Sequence, residues 1–145
     1  MSKIKCHGKI GIHAQVRWNA DTIKFENYTV NTPAKFHVRD DFDTMFKFHL
    51  ASHLDIEYAN LDFVYFSVCK GAEPHVDQLD PAIFTDKTFV IPVILPKGKS
   101  VITAEDEETV VKLDHIYEFN HEKVHSMILE DVESGCVVIM VAVKK

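Results

Sequence analysis

The sequence predicts a mainly β fold, a β-sandwich or jelly roll, and three observations carry that reading. Short segments rich in β-branched and aromatic residues recur from residue 56 onward. Only one stretch has convincing helical spacing, and it precedes most of those segments. Strands and helices do not alternate in the way that builds a parallel sheet.

Residues 3–38 read as short strands with polar breaks, IKCHGKIGI, AQVRW, TIKFENYTV and AKFHV, with Asn31 and Pro33 in a turn. The helix follows. Asp40 or Asp41 can cap it, and Phe42, Met45, Phe46, His49, Leu50, His53 and Leu54 form an apolar stripe that packs on a sheet. LDFVYFSVC (61–69) is a strand, and TFVIPVILP (88–96) is apolar throughout, as a strand covered on both faces would be. KSVIT, ETVVKLDHIYEF and GCVVIMVAVKK continue the series, separated by Pro-Lys-Gly at 96–98 and by acidic or Gly-containing breaks. Pro92 inside its strand implies an edge or a bulge, because proline cannot donate to a ladder.

At 145 residues, with no repeat or Pro/Gly-rich linker, the expectation is one domain spanning 1–145. A 46% hydrophobic and 26% charged composition is that of a soluble globular protein. No apolar run reaches the ~20 residues that cross a bilayer. The opening MSKIKCHGKIGIHAQ lacks the apolar region of a secretory signal. Cys6, Cys69 and Cys136 are odd in number and in no ligand spacing, so a reducing compartment, the cytoplasm, is expected. A formal charge of −6 argues against nucleic acid as a partner.

Two motifs compete for a metal. In His75-Val76-Asp77 the two ligand types are two residues apart, on one face of a strand. With His125, fifty residues on, they make a two-histidine, one-carboxylate set that leaves positions open and suits non-haem iron(II). The second motif is His121-Glu122-Lys123-Val124-His125, a literal H-E-x-x-H. On a helix it would bind zinc through both histidines, with Glu122 as general base of a hydrolase. Its flanks, DHIYEF and VVIMVAV, read as strands, and only Glu130 and Glu133 are near enough to be a third ligand.

Residues 60–143 resemble the Fe(II)/2-oxoglutarate-dependent oxygenases, especially the prolyl and aspartyl/asparaginyl hydroxylase-like members. The likeness lies in Gly71-Ala-Glu-Pro-His75-Val-Asp77, in the apolar Phe89-Val-Ile-Pro92-Val-Ile-Leu, and in Ile116-Tyr-Glu-Phe119-Asn-His-Glu-Lys-Val-His125-Ser. It implies a double-stranded β-helix with one helix of the N-terminal half packed on its sheet. It also implies Fe(II) on His75, Asp77 and His125, with 2-oxoglutarate and dioxygen at the metal. The implied reaction is hydroxylation of an amino-acid or peptide side chain, or of another small substrate.

One departure stands out. Such oxygenases commonly hold the far carboxylate of 2-oxoglutarate with an arginine about ten residues after the distal histidine. Here Glu133-Ser134-Gly135-Cys136-Val137 occupies that place, and the only arginines are Arg17 and Arg39. Lys87, with Lys112 behind it, is the expected substitute, and Tyr65 an expected hydrogen-bond donor. The missing arginine leaves open an unusual clamp, a different co-substrate or a fold without activity. The other readings are a zinc-dependent hydrolase and a non-catalytic β-sandwich that binds a partner.

Overall fold

The computed structural model describes residues 2–12, 14–21, 35–37 and 44–145. Its strands are β1 (Lys5–Lys9), β2 (Lys35–His37), β3 (Leu61–Cys69), β4 (Ala72–His75), β5 (Phe84–Ile94), β6 (Ser100–Ala104), β7 (Glu107–Val110), β8 (His115–Asn120), β9 (His125–Leu129) and β10 (Cys136–Lys144). Two helices, α1 (Ala14–Asp21) and α2 (Thr44–Leu54), lie in the N-terminal half.

The strands form two antiparallel sheets, one ordered β1-β8-β5-β10-β3-β2 and the other β4-β9-β6-β7. From β3 onward the chain crosses repeatedly between the sheets, and this winding is a double-stranded β-helix. Side chains alternate across each strand, so the larger sheet has two apolar faces. Phe66, Val68, Phe89, Ile91, Val93, Ile139 and Val141 point outward and pack under Val16, Ala20, Phe46 and Leu50 of the helices. Val90, Tyr117, Phe119, Cys136 and Val138 point inward and meet Ile102, Ala104, Met127 and Leu129 of the smaller sheet. TFVIPVILP is covered on both sides, as its composition predicts.

Pro92 lies in a central strand, opposite Val138, where the pairing of β5 with β10 shifts register. The bulge alternative accounts for it. Strand β8 pairs with β5 only as far as Val90, and the Pro92 carbonyl accepts from Asp114 N at 2.8 Å. The missing N–H therefore falls beyond the end of the β8 ladder.

AQVRW belongs to a helix, not a strand. Val16 and Ala20, one turn apart, are both buried in the outer core, while Arg17 reaches Asp114 and the carbonyl of Val93. A helix of eight residues is too short for periodicity to reveal. ETVVKLDHIYEF is likewise two strands, in different sheets. A turn through Asp114, whose φ of 63° is left-handed, separates them. The helix anticipated from residue 42 is present as α2, but Asp40, Asp41 and Phe42 lie outside the described residues, as does all of TIKFENYTV. Among the described residues no helix is long and apolar enough to cross a membrane.

Candidate metal centre

Strands β4 and β9 are neighbours, and His75 pairs directly with His125 across them. β4 ends at His75. The chain then turns so that Asp77 N donates to the His121 carbonyl at 3.0 Å, which pins the segment to the end of β8. The Asp77 carboxylate then sits between the rings, Oδ1 3.4 Å from His75 Nε2 and Oδ2 3.4 Å from His125 Nε2. Among the described residues this is the group able to hold a metal, its three donor atoms all within 4.8 Å of one another.

The ring nitrogens facing away from Asp77 settle the tautomers. His75 Nδ1 is 2.6 Å from the Glu73 carbonyl and His125 Nδ1 2.8 Å from that of Lys123. A carbonyl only accepts, so each Nδ1 donates a proton to it and each ring turns its Nε2 toward the carboxylate. Three acceptors facing one point repel unless a cation lies among them. Either a proton on an imidazole or a metal ion meets that need, and backbone carbonyls orienting the ligand rings are the usual support of a metal site. Burial of Asp77 works to raise its pKa. The hydrogen bond and charge of His125, with His75 and His121 behind, outweigh burial and hold the carboxyl below its ordinary range. Two imidazoles and one carboxylate oxygen, with the side chain of His75 43% exposed and that of His125 only 6%, form a half-open site of the kind that suits iron(II).

Behind the ligands a cavity of about 280 Å³ runs between the sheets. Gln78 and Leu79 flank the ligands. Inward the lining is Val90, Ile102, Met127, Val138 and Met140, with hydroxyls from Ser67 and Thr88. Phe119 packs its ring 4.6 Å from that of His125.

The chain folds like a prolyl hydroxylase. A solved prolyl hydroxylase from Trichoplax adhaerens, in complex with a hypoxia inducible factor oxygen degradation domain peptide fragment, superposes with a TM-score of 0.50. The match covers 94% of this chain and 70% of that one, at 11% identity. At that identity the likeness is one of fold, the double-stranded β-helix. No protein-family model matches the sequence, and no curated protein does.

Within this fold the H-E-x-x-H reading fails. Residues 121–123 form a turn and β9 begins at His125, so no helix spans the motif. The Asn120 side chain accepts from Glu122 N at 2.9 Å and its carbonyl from Lys123 N at 3.2 Å, which closes a turn where a zincin needs a helix. His121 is buried and is not one of the three converging residues, its Nδ1 lying 2.8 Å from Thr88 Oγ1, and Glu122 is exposed.

Among the described residues the anticipated clamp is not assembled. Lys87 is exposed on β5 beside Thr88, and strand alternation sends it to the face opposite the cavity. Lys112 is exposed in the turn before β8, where its backbone N donates to Tyr117 Oη at 2.9 Å. Tyr65 lies in β3 opposite Met140, and its side chain is outside the described residues, as is Arg39. No lysine or arginine lines the cavity among the described residues, so none of those residues offers a cation to the second carboxylate of 2-oxoglutarate. Ser67 and the Thr88–His121 pair were not legible beforehand. Their strands are apolar on both faces, and the sequence carries no mark of which face meets the cavity.

Proposed function

We propose that this chain is an iron(II)-dependent oxygenase that uses dioxygen and a 2-oxo acid to hydroxylate a peptide side chain or a small molecule. One observation carries the reading: two histidines locked by backbone carbonyls, with Nε2 lone pairs and a carboxylate converging at the mouth of a double-stranded β-helix. Iron bound there would supply the redox step. One atom of O2 goes to the substrate as hydroxyl, and the other to the 2-oxo acid, which leaves as carbon dioxide and a carboxylate one carbon shorter.

The protein's own share is orientation and exclusion of water. Glu73 and Lys123 carbonyls hold the rings, and the His121 carbonyl holds the backbone of Asp77. Phe119 and the apolar walls keep the inner side dry while His75 stays open to an approaching substrate. A peptide substrate is consistent with the peptide that the Trichoplax enzyme holds.

The test is oxygen uptake by protein loaded anaerobically with iron(II) and then given air and a panel of 2-oxo acids, 2-oxoglutarate included. Consumption of oxygen matched by release of carbon dioxide, and lost in His125→Ala, is expected. Iron binding that survives in each of His75→Ala, Asp77→Ala and His125→Ala would defeat the assignment.

A further inference from the structure

We infer that the inner end of the cavity accepts the uncharged tail of an aliphatic 2-oxo monocarboxylic acid in place of the second carboxylate of 2-oxoglutarate. The inference rests on the oxygenase reading and names the co-substrate of that same site.

Among the described residues, the cations near this region are spoken for or turned away. Arg17 lies on the outer side of the larger sheet, engaged by Asp114 and the Val93 carbonyl. Lys70, at the end of β3, has its Nζ 3.8 Å from Glu133. Lys87 and Lys112 are exposed and line no part of the cavity. At the start of β10, the inward positions are Cys136 and Val138.

The floor is apolar instead. From His125, at the ligands, to Met127, in the wall, is two residues of β9, roughly 7 Å at the rise of a strand. That depth matches a tail of three or four carbons. Val90, Ile102, Val138 and Met140 surround it, and the polar side chains beside them are Ser67, 4% exposed and opposite Val138, and Thr88, whose hydroxyl is already paired with His121 at 2.8 Å.

Magnitudes decide between the two tails. A carboxylate taken into this floor loses hydration worth several kcal/mol. One hydroxyl returns about 1.5–3 kcal/mol, the range for a hydrogen bond to a charged group. An aliphatic tail gains about 0.8 kcal/mol for each methylene buried. The same walls that penalise the dicarboxylate favour the monocarboxylate.

Anaerobic calorimetry on iron(II)-loaded protein tests this, with 4-methyl-2-oxopentanoate and 2-oxoglutarate as the two titrants. The monocarboxylate should bind at least about tenfold more tightly. Val138→Phe, which fills the floor, should weaken its binding at least about tenfold and leave the iron affinity unchanged. Equal or tighter binding of 2-oxoglutarate overturns the inference while the oxygenase reading stands. Undiminished binding in Val138→Phe also overturns it. Iron binding with neither acid bound removes the 2-oxo acid from both readings, and failure to bind iron defeats the oxygenase assignment itself. Should Val138→Phe not fold, the comparison of the two acids on the unmodified protein decides alone.

Discussion

Replacing Asp77 by asparagine separates the metal site from the fold that carries it. Asparagine keeps the shape of the side chain but trades a carboxylate for a neutral oxygen and an NH2 group. In the metal-free protein that NH2 can donate to an Nε2 lone pair, 3.4 Å from each Asp77 oxygen in the native side chain. The metal-free stability of Asp77→Asn should therefore stay within about 1 kcal/mol of the unmodified protein. The metal-bound states should differ far more. A divalent ion at a hundred times its dissociation constant stabilises the native state by about 2.7 kcal/mol. For a chain of this length that is roughly 8–10 °C in Tm. Thermal melts under nitrogen, with and without iron(II), should show that shift in the unmodified protein and in His121→Ala, and at most about 2 °C in Asp77→Asn and His125→Ala. A full shift in Asp77→Asn, or its loss in His121→Ala alone, would refute the ligand set. The pH dependence has a definite sign. Without metal, Asp77 is held below its ordinary value, so its contribution is present above the unfolded pKa of about 3.9 and is lost as pH falls through the lower folded value. With metal, protons compete with the ion for its ligands, and affinity should fall as pH drops.

Three further outcomes follow from named contacts. Arg17→Met removes the charge-assisted bonds from α1 to Asp114 and the Val93 carbonyl, and should cost about 2 kcal/mol in urea unfolding. A double-mutant cycle with Asp114→Asn should then show non-additivity. Thr88→Val keeps the volume but strands His121 Nδ1 in a buried position, so a loss of about 1–3 kcal/mol is expected by the same measurement. Gly98→Ala places a Cβ on a backbone with φ of +83° and 2.9 Å from the Cδ of Glu130, whose carboxylate accepts from Lys99 N at 3.1 Å. It should destabilise by about 1–2 kcal/mol, and Glu130→Ala should not rescue it if backbone strain dominates.

The fold was legible where a segment's composition reflects how many of its faces are covered. β5 and β10, buried on both sides, read as strands from their apolar runs, and α2 read as a helix from its stripe. The short elements escaped. β4 is AEPH and β9 is HSMIL, too brief and too mixed to show a period, yet these two strands carry the site. α1 escaped for a related reason, because among its described side chains only Val16 and Ala20 belong to the core. In each case tertiary pairing fixes what local propensity leaves undecided.

The candidate site divides along the same line. His75 and Asp77 are close in sequence, so local reasoning finds them. His125 joins them only because β9 lies beside β4 in the smaller sheet, a long-range fact that the sequence reaches through the resemblance and not through spacing. The competing H-E-x-x-H motif is a reading of neighbours along the chain, and it dissolves once Asn120 closes a turn between β8 and β9. Lys87 shows the limit most clearly. In a strand that is apolar on both faces, nothing marks which side chains turn toward the second sheet, and a shift of one residue exchanges the faces. Thr88, through its hydrogen bond to His121 and its place in the cavity wall, sets that phase and sends Lys87 outward. The same alternation leaves Val90 inside with Thr88. It thus turns an anticipated cationic clamp into an apolar wall, and the question of the co-substrate becomes one about the tail that such a wall accepts.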